Sequence, residues 1–272
     1  MRRIGKGCAA EVYLATDNHG RAVALKIIRR SGAQAELVRQ RFSVECATLA
    51  GIDHEHVVRA LDYAAGGDVG YLAMEYLGGG TLRDAMRAGL NEAQALSILL
   101  QAASGLAAVH RRAIVHCDIK PENCLFRAGG ELVLADFGLA LPLAHAHAHA
   151  VAGRGSLGTP CYAAPEQTQG GVPTPACDIY SLGVVFYEML RGQRPFPGET
   201  EMELQAQHLM APVPRLPEGL SRYQTLVDGM LEKQPHRRIA DGSALLQEIR
   251  RAQRVPRQEK SSIHRAEQPL PC

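Results

Sequence analysis

Two stretches of this chain are too apolar to lie on a protein surface. "NEAQALSILLQAASGLAAVHRR" opens on Asn91, a candidate cap, and is apolar on most of its faces, which predicts a buried helix. "CDIYSLGVVFYEMLRG" reads as another largely apolar helix, ended by Gly192 and Pro195. The chain's 272 residues suffice for one large domain or for two lobes with separate cores. Trp is absent and aromatic residues make up only 5% of the chain, so the core must rest on Leu, Val, Ile and Ala.

The region ahead of the first apolar helix reads as strands with a single helix. "EVYLAT" and "AVALKII" are short, rich in Val, Leu and Ile, and flank the turn "DNHG", which signals a hairpin. "QAELVRQRFSVECATLAGI" is predicted helical: Leu37, Val38, Phe42, Cys46 and Leu49 recur near helical spacing, with Gly51 just past the end. "RALDYAA" and "VGYLAMEYL" follow as strands around a Gly-Gly turn, and "YLGGGT" connects them to the helical part. Further on, short strands are expected around "CLFR" and "ELVLAD". The predicted class is α+β: a small β-rich lobe over residues 1–76, then a larger, mostly helical lobe over 80–250. "LAHAHAHAVAGRGSLG", residues 143–158, reads as a mobile loop, and the polar, basic segment 251–272 as a disordered tail.

A formal charge of +2 is too small for nucleic acid or an anionic membrane to be the main partner. No apolar run reaches the roughly 18–20 residues that span a bilayer. "MRRIGKGCAA" has no apolar stretch behind its arginines, so neither a membrane segment nor a signal peptide is expected. The 7 cysteines include no C-x-x-C spacing and no tight zinc-ligand cluster; they read as reduced thiols of a cytoplasmic protein.

Several motifs carry chemistry. In "IGKGCAAEVYLA", Gly5 and Gly7 let backbone amides approach a ligand with no Cβ in the way, and such amides cradle phosphates; a plain glycine turn looks the same. In "VALK", Lys26 lies between apolar strand neighbours and, if turned inward toward phosphates, needs a carboxylate partner, for which Glu45 on the following helix is the best candidate. "HCDIKPEN" and "LADFGLA" place Asp118 and Asp136 18 residues apart, with Asn123 between them. Transfer of a phosphoryl group to a hydroxyl needs one acid to orient the hydroxyl and accept its proton, and another to hold magnesium on the phosphates.

With these motifs in this order, the chain resembles the eukaryotic-type (Hanks-type) serine/threonine protein kinases, nearest their bacterial branch, from about residue 4 to about residue 250. The resemblance implies a bilobal fold with ATP in the cleft, magnesium or alternatively manganese, and transfer of the γ-phosphate to Ser or Thr of proteins, autophosphorylation included. It implies that Gly5 and Gly7 cover the phosphates and that Lys26, paired with Glu45, contacts them. Asp118 would be the base, Lys120 would neutralise the transferred phosphate, and Asn123 and Asp136 would hold the metal. Val12, Ala24 and Leu125 would sandwich adenine, Met74 would back the pocket, and Glu75 and Leu77 would offer hinge backbone groups. "GTPCYAAPEQ" extends the likeness to the substrate side: Thr159 near the base, Glu166 paired with Arg238, and Asp178 anchoring the catalytic-loop backbone. A pseudokinase scaffold and a small-molecule phosphotransferase are the competing readings.

The sequence departs from the family pattern in four places. Ala10 stands at the third glycine of the phosphate loop, which predicts altered nucleotide clamping. The chain starts only four residues before Gly5, where the family has a longer first strand, so either that strand is short here or the start is incomplete. His145, His147 and His149 alternate in the loop; in an extended conformation they would share a face and could take a metal. Cys117 replaces the arginine that in the family holds an activation-loop phosphate, and cysteine offers no charged fork for that contact. Activation is therefore expected not to require phosphorylation read through this residue, although Ser156 and Thr159 offer hydroxyls. A redox brake at Cys117 or Cys124 is the alternative role for these thiols, against inert packing.

Overall fold

The computed structural model describes residues 1–6, 10–29, 35–66, 69–151 and 158–254. Gly7, Cys8, Ser156 and the tail from residue 255 lie outside the described residues.

Strands β1 (Arg2–Lys6), β2 (Ala10–Thr16), β3 (Ala22–Arg29), β4 (Ala60–Ala64) and β5 (Val69–Glu75) form one antiparallel sheet in the order β1-β2-β3-β5-β4. Val12 faces Lys26 across β2 and β3, and Ala24 faces Met74 across β3 and β5. Cross-strand partners and residues two apart share a face of a sheet, so this register gathers Val12, Ala24, Lys26 and Met74 on one side. Helix α1 (Ala35–Ala50) joins β3 to β4 and buries Phe42, Cys46 and Leu49 in one cluster with Ile28 and Leu72. Val109, Val133, Ala135 and Phe137 from later in the chain belong to that same cluster. The small lobe is therefore closed partly by the floor of the cleft and not by its own residues alone.

The rest is mostly helical: α2 (Leu82–Ala88), α3 (Glu92–Arg111), α4 (Leu143–Val151), α5 (Pro165–Thr168), α6 (Pro175–Arg191), α7 (Glu201–Met210), α8 (Gln224–Met230) and α9 (Gly242–Arg254). Short strands β6 (Ile114–Val115), β7 (Cys124–Phe126), β8 (Leu132–Leu134) and β9 (Leu141–Pro142) form two antiparallel pairs, β6 with β9 and, between them in the chain, β7 with β8. Asn91 caps α3 as expected: its Oδ1 accepts from the Gln94 amide, and Gln94 Oε1 accepts from the Asn91 amide, at 2.9 Å each. By length and composition alone α3 could cross a bilayer, but it buries Leu99, Ala103 and Leu106 in the core instead. Helix α6 ends at Gly192 in the left-handed region and buries every residue from Ala176 to Met189. At roughly 1.5–3 kcal/mol for each large apolar side chain taken from water, α6 is the axis on which the large lobe is stabilised.

Two expectations fail. The stretch expected to be a mobile loop is helical from Leu143 to Val151, because alanine has the best helix propensity and every second residue there is alanine. The Leu143 amide anchors it on the Ala113 carbonyl at 2.8 Å, and Ala146 is buried. In a helix, residues two apart such as His145 and His147 point to nearly opposite sides, so these two do not share the face that an extended loop would give them. Among the described residues no group of three or more His, Cys, Asp or Glu is placed to hold a metal. Residues 251–254, expected in the tail, instead form the end of α9, which runs on to Arg254.

Candidate active site

The loop between β6 and β7 starts from an awkward backbone. Cys117 has φ 68°, a left-handed conformation that costs a non-glycine residue about 1–3 kcal/mol. Asp178 of α6 offsets that cost. Its buried carboxylate accepts from the amides of His116 and Cys117 at 2.8 Å each. His110 of α3 donates a third bond to Asp178 from Nε2 at 2.9 Å, while His110 Nδ1 accepts from the Gly242 amide at 3.1 Å, which fixes the tautomer. The peptide before Asp118 is thus held from α6, α3 and α9 together.

Asp118 then sits at the centre of a closed ring of contacts. Lys120 Nζ reaches Asp118 Oδ2 at 2.7 Å and donates to Thr159 Oγ1 at 2.8 Å. Thr159 Oγ1 donates to Asp118 Oδ1 at 2.9 Å. Asn123, in the turn Pro121–Asn123, donates from Nδ2 to the Asp118 backbone carbonyl and to Oδ2, both at 2.9 Å. A carboxylate that accepts a hydroxyl proton bond on one oxygen beside a lysine ammonium is arranged to take a proton from a hydroxyl and to neutralise an incoming phosphoryl group.

Across the cleft, Lys26 Nζ lies 2.6 and 2.9 Å from the two oxygens of Glu45 and 3.0 Å from Asp136 Oδ1. Burial works to lower the Lys26 ammonium, but the charges of Glu45 and then Asp136 outweigh it and leave the group above its ordinary value. Burial works to raise the Asp136 carboxyl, and Lys26 outweighs it, so Asp136 is held below the usual carboxylate range. Asp136 also has φ 57°, which turns it out of the strand direction. A cleft of about 740 Å³ is lined by Gly5, Val12, Ala24, Lys26, Met74, Glu75, Leu77, Asp118, Lys120, Asn123, Leu125 and Asp136. Every described member of the expected site therefore faces one space, Glu45 included. Gly7 alone lies outside the described residues. Ala10, at the third glycine position, also lines the cleft from within β2.

The hinge is shaped by contacts that no motif announces. Glu75 turns its carboxylate to Arg127, at 2.8 and 2.9 Å, and its amide already donates to the Arg59 carbonyl at 3.0 Å. Gly79 lies so close to β7 that a side-chain carbon there would come within 2.5 Å of the Arg127 carbonyl, which explains a glycine in "YLGGGT".

Residues 1–250 match the family described as "Protein kinase domain". The chain belongs to the protein kinase family. This kinase domain is 38% identical over 255 residues to the serine/threonine-protein kinase drp72 of Corynebacterium efficiens, covering 90% of the chain and 49% of that protein. It is 38% identical over 286 residues to serine/threonine-protein kinase PknA of Corynebacterium glutamicum, covering 98% of the chain and 60% of that protein. Against serine/threonine-protein kinase PrkC of Bacillus subtilis it is 38% identical over 217 residues, covering 79% of the chain and 33% of that protein. The chain thus spans between a third and three fifths of the length of these relatives.

Two further pairings expected of the kinase domain are formed. Arg238, with its side chain wholly buried, meets Glu166 at 2.7 and 3.0 Å, and Asp178 anchors the catalytic-loop backbone as described. Cys117 is buried, and burial first, then the nearby Asp178 carboxylate, pushes its thiol well above the ordinary value; burial likewise pushes Cys124 up to about 12. Thiols held protonated in this way are poor nucleophiles, which favours inert packing over a redox brake. Sequence reasoning missed Arg83 of α2, which donates to Glu122, Glu188 and Tyr162 and so ties α2 to the catalytic loop, α6 and the segment before α5. It also missed His110. Both are lone polar residues on helices, and only the fold brings their partners to them.

Proposed function

We propose that this chain is a serine/threonine protein kinase that transfers the γ-phosphate of ATP to Ser or Thr hydroxyls of proteins, its own included. The observation that carries the proposal is the ring of Asp118, Lys120, Thr159 and Asn123, closed at 2.7–2.9 Å and facing the Lys26–Glu45 pair across one cleft. An acceptor hydroxyl that takes the position of the Thr159 hydroxyl gives its proton to Asp118 Oδ1. Lys120 then lies against both the base and the incoming phosphoryl oxygens. Lys26, held by Glu45, receives the inner phosphates, while Val12, Ala24, Met74 and Leu125 supply apolar walls for the adenine.

The metal residues suit a hard cation. Asp136 is a half-exposed carboxylate held ionised by Lys26, and the two bonds donated by Asn123 Nδ2 leave its amide oxygen as the ligating atom. One carboxylate and one amide oxygen fit magnesium, which keeps waters and takes its other ligands from the substrate phosphates. Magnesium, or manganese in its place, would supply charge neutralisation on those phosphates. A cytoplasmic site of action belongs to the same proposal and is supported by the free cysteines among the described residues.

The scaffold reading would need Lys26, Asp118 or Asp136 to be missing or turned away, and all three face the cleft. A small-molecule acceptor finds no support in a segment that packs Thr159 onto the base and Glu166 onto Arg238. The test is incorporation of radiolabelled phosphate from ATP into protein by the purified chain and by Asp136→Ala. The variant is expected to lose at least about 100-fold in rate; equal labelling by both would end the enzyme reading, and label on a small alcohol but on no protein would change the substrate class.

A further inference from the structure

The segment that carries Thr159 meets the catalytic loop around the peptide joining Cys117 to Asp118. Gly158 lies so close that a side-chain carbon there would come within 2.7 Å of the Cys117 carbonyl oxygen, and its φ of 93° suits glycine alone. Gln167, at the third position of α5, is buried and bonded at both ends of its amide. Its Oε1 accepts from the Ala164 amide at 2.9 Å, and its Nε2 donates to the Cys117 carbonyl at 3.0 Å. Capping the first turn of α5 would need only the bond to Ala164. The second bond crosses to the catalytic loop and ends one residue before the base. Cys117 itself offers no charge through which a phosphate on the segment could hold the two parts together.

We infer that Gln167 is a positioning residue for phosphoryl transfer: its amide, bonded to Ala164 on one side and to the Cys117 carbonyl on the other, latches the segment to the catalytic loop and keeps Thr159, Lys120 and Asp118 in register with no phosphate on the segment. The inference rests on the kinase reading above. Its chemistry is directional. The latch needs an acceptor toward the Ala164 N–H and a donor toward the Cys117 C=O, a pair that a primary amide supplies and a carboxylate does not. An ionised glutamate would set a negative oxygen against a carbonyl oxygen. A protonated glutamate would restore the donor in the same shape, and burial raises a carboxyl so that this form is reached by mild acid.

The test uses the full chain, stripped of phosphate by a phosphatase and checked by intact mass, with dephosphorylated casein as acceptor. Unphosphorylated wild type is expected to be active. Gln167→Met, which keeps the volume and loses both bonds, is expected to lower kcat about tenfold or more while KM for ATP stays within about twofold. Gln167→Glu is expected to be as impaired near pH 8 and to gain on wild type as pH falls toward about 6. If Gln167→Met does not fold, the pH profile of Gln167→Glu decides alone. A Gln167→Met enzyme with wild-type kcat, a change confined to KM, or a Gln167→Glu profile parallel to wild type overturns the latch. Wild type active only once its segment is phosphorylated also overturns it and leaves the kinase reading standing. Wild type that transfers no phosphate in either state overturns both.

Discussion

Arg238 is the most heavily committed side chain in the large lobe, and its removal should be felt far from the cleft. A guanidinium has five N–H donors in a rigid fork, and here each has an acceptor. Nε donates to the Glu232 carbonyl at 2.7 Å. Nη1 donates to Glu166 Oε1 at 2.7 Å and to the Ala176 carbonyl at 2.8 Å, and Nη2 to Glu166 Oε2 at 3.0 Å and the Lys233 carbonyl at 3.1 Å. Glu166→Ala leaves this buried cation without its counter-charge, at about 3–5 kcal/mol. In a domain of this size each kcal/mol moves the melting temperature by about 2–4 °C, so the expected drop is roughly 6–20 °C. Arg238→Lys keeps the charge but brings only three donors, which strands at least two acceptors at about 1–3 kcal/mol each. The double variant Glu166→Ala with Arg238→Met removes both charges and should cost less than the sum of its two single variants. Melting followed by circular dichroism at a fixed scan rate reads all four. A Glu166→Ala melt within about 1 °C of wild type, or a double variant equal to that sum, would refute the claim that a buried charge is what the pair balances.

Further predictions concern groups whose protonation the fold shifts. His208 of α7 is buried with Nδ1 2.9 Å from the Tyr180 hydroxyl; burial first, then the Lys233 charge, pushes it down to about 4. Unfolded histidine takes its proton near 6.5, so the stability contributed by neutral His208 is complete above about pH 6.5 and is lost as pH falls toward about 4, by up to roughly 3 kcal/mol. Urea midpoints at pH 7 and pH 5 should fall less for His208→Asn than for wild type; equal falls would mean the histidine does not stay neutral. For the thiols, iodoacetamide on the native chain should modify the partly exposed Cys161 and leave Cys117 and Cys124 untouched until the protein is unfolded, as read by peptide mass spectrometry. Native labelling of Cys117 at the rate of Cys161 would restore the redox brake.

Much of the fold is local and was therefore legible. Short apolar runs flanked by turns became β2, β3 and β5, and the capped apolar stretch after Asn91 became α3. The histidine-alanine stretch was misread for a definable reason. Its composition looked like low complexity, but alanine at every second position favours a helix once the Leu143 amide finds the Ala113 carbonyl, a partner distant in sequence. Arg83, His110 and Gln167 were invisible for a related reason. A polar residue on a helix has no reading of its own until its partners are known, and those of Gln167 are the Ala164 amide, which donates to it, and the Cys117 carbonyl, which accepts from it.

The sequence by itself determined which chemistry is available. It carries an acid with a nearby lysine and asparagine, a second acid, a strand lysine and a helix glutamate, each defined by residue type and order. Only the tertiary structure decided that these groups act in one place. Strand register sets Lys26 beside Val12 and Ala24 on the cleft face, and the packing of α1 brings Glu45 to within 2.6 Å of it. The backbone before Asp118 is bent into a left-handed turn that no local preference favours. That turn persists because Asp178, His110 and Gln167 converge on it from α6, α3 and α5. The physical reason for the division is range: residue type and periodicity act over a turn or two of chain, whereas the angle of the base depends on buried hydrogen bonds between segments 50 or more residues apart, and Lys26 and Lys120 are placed by partners such as Glu45, Asp136 and Thr159 that lie on other elements.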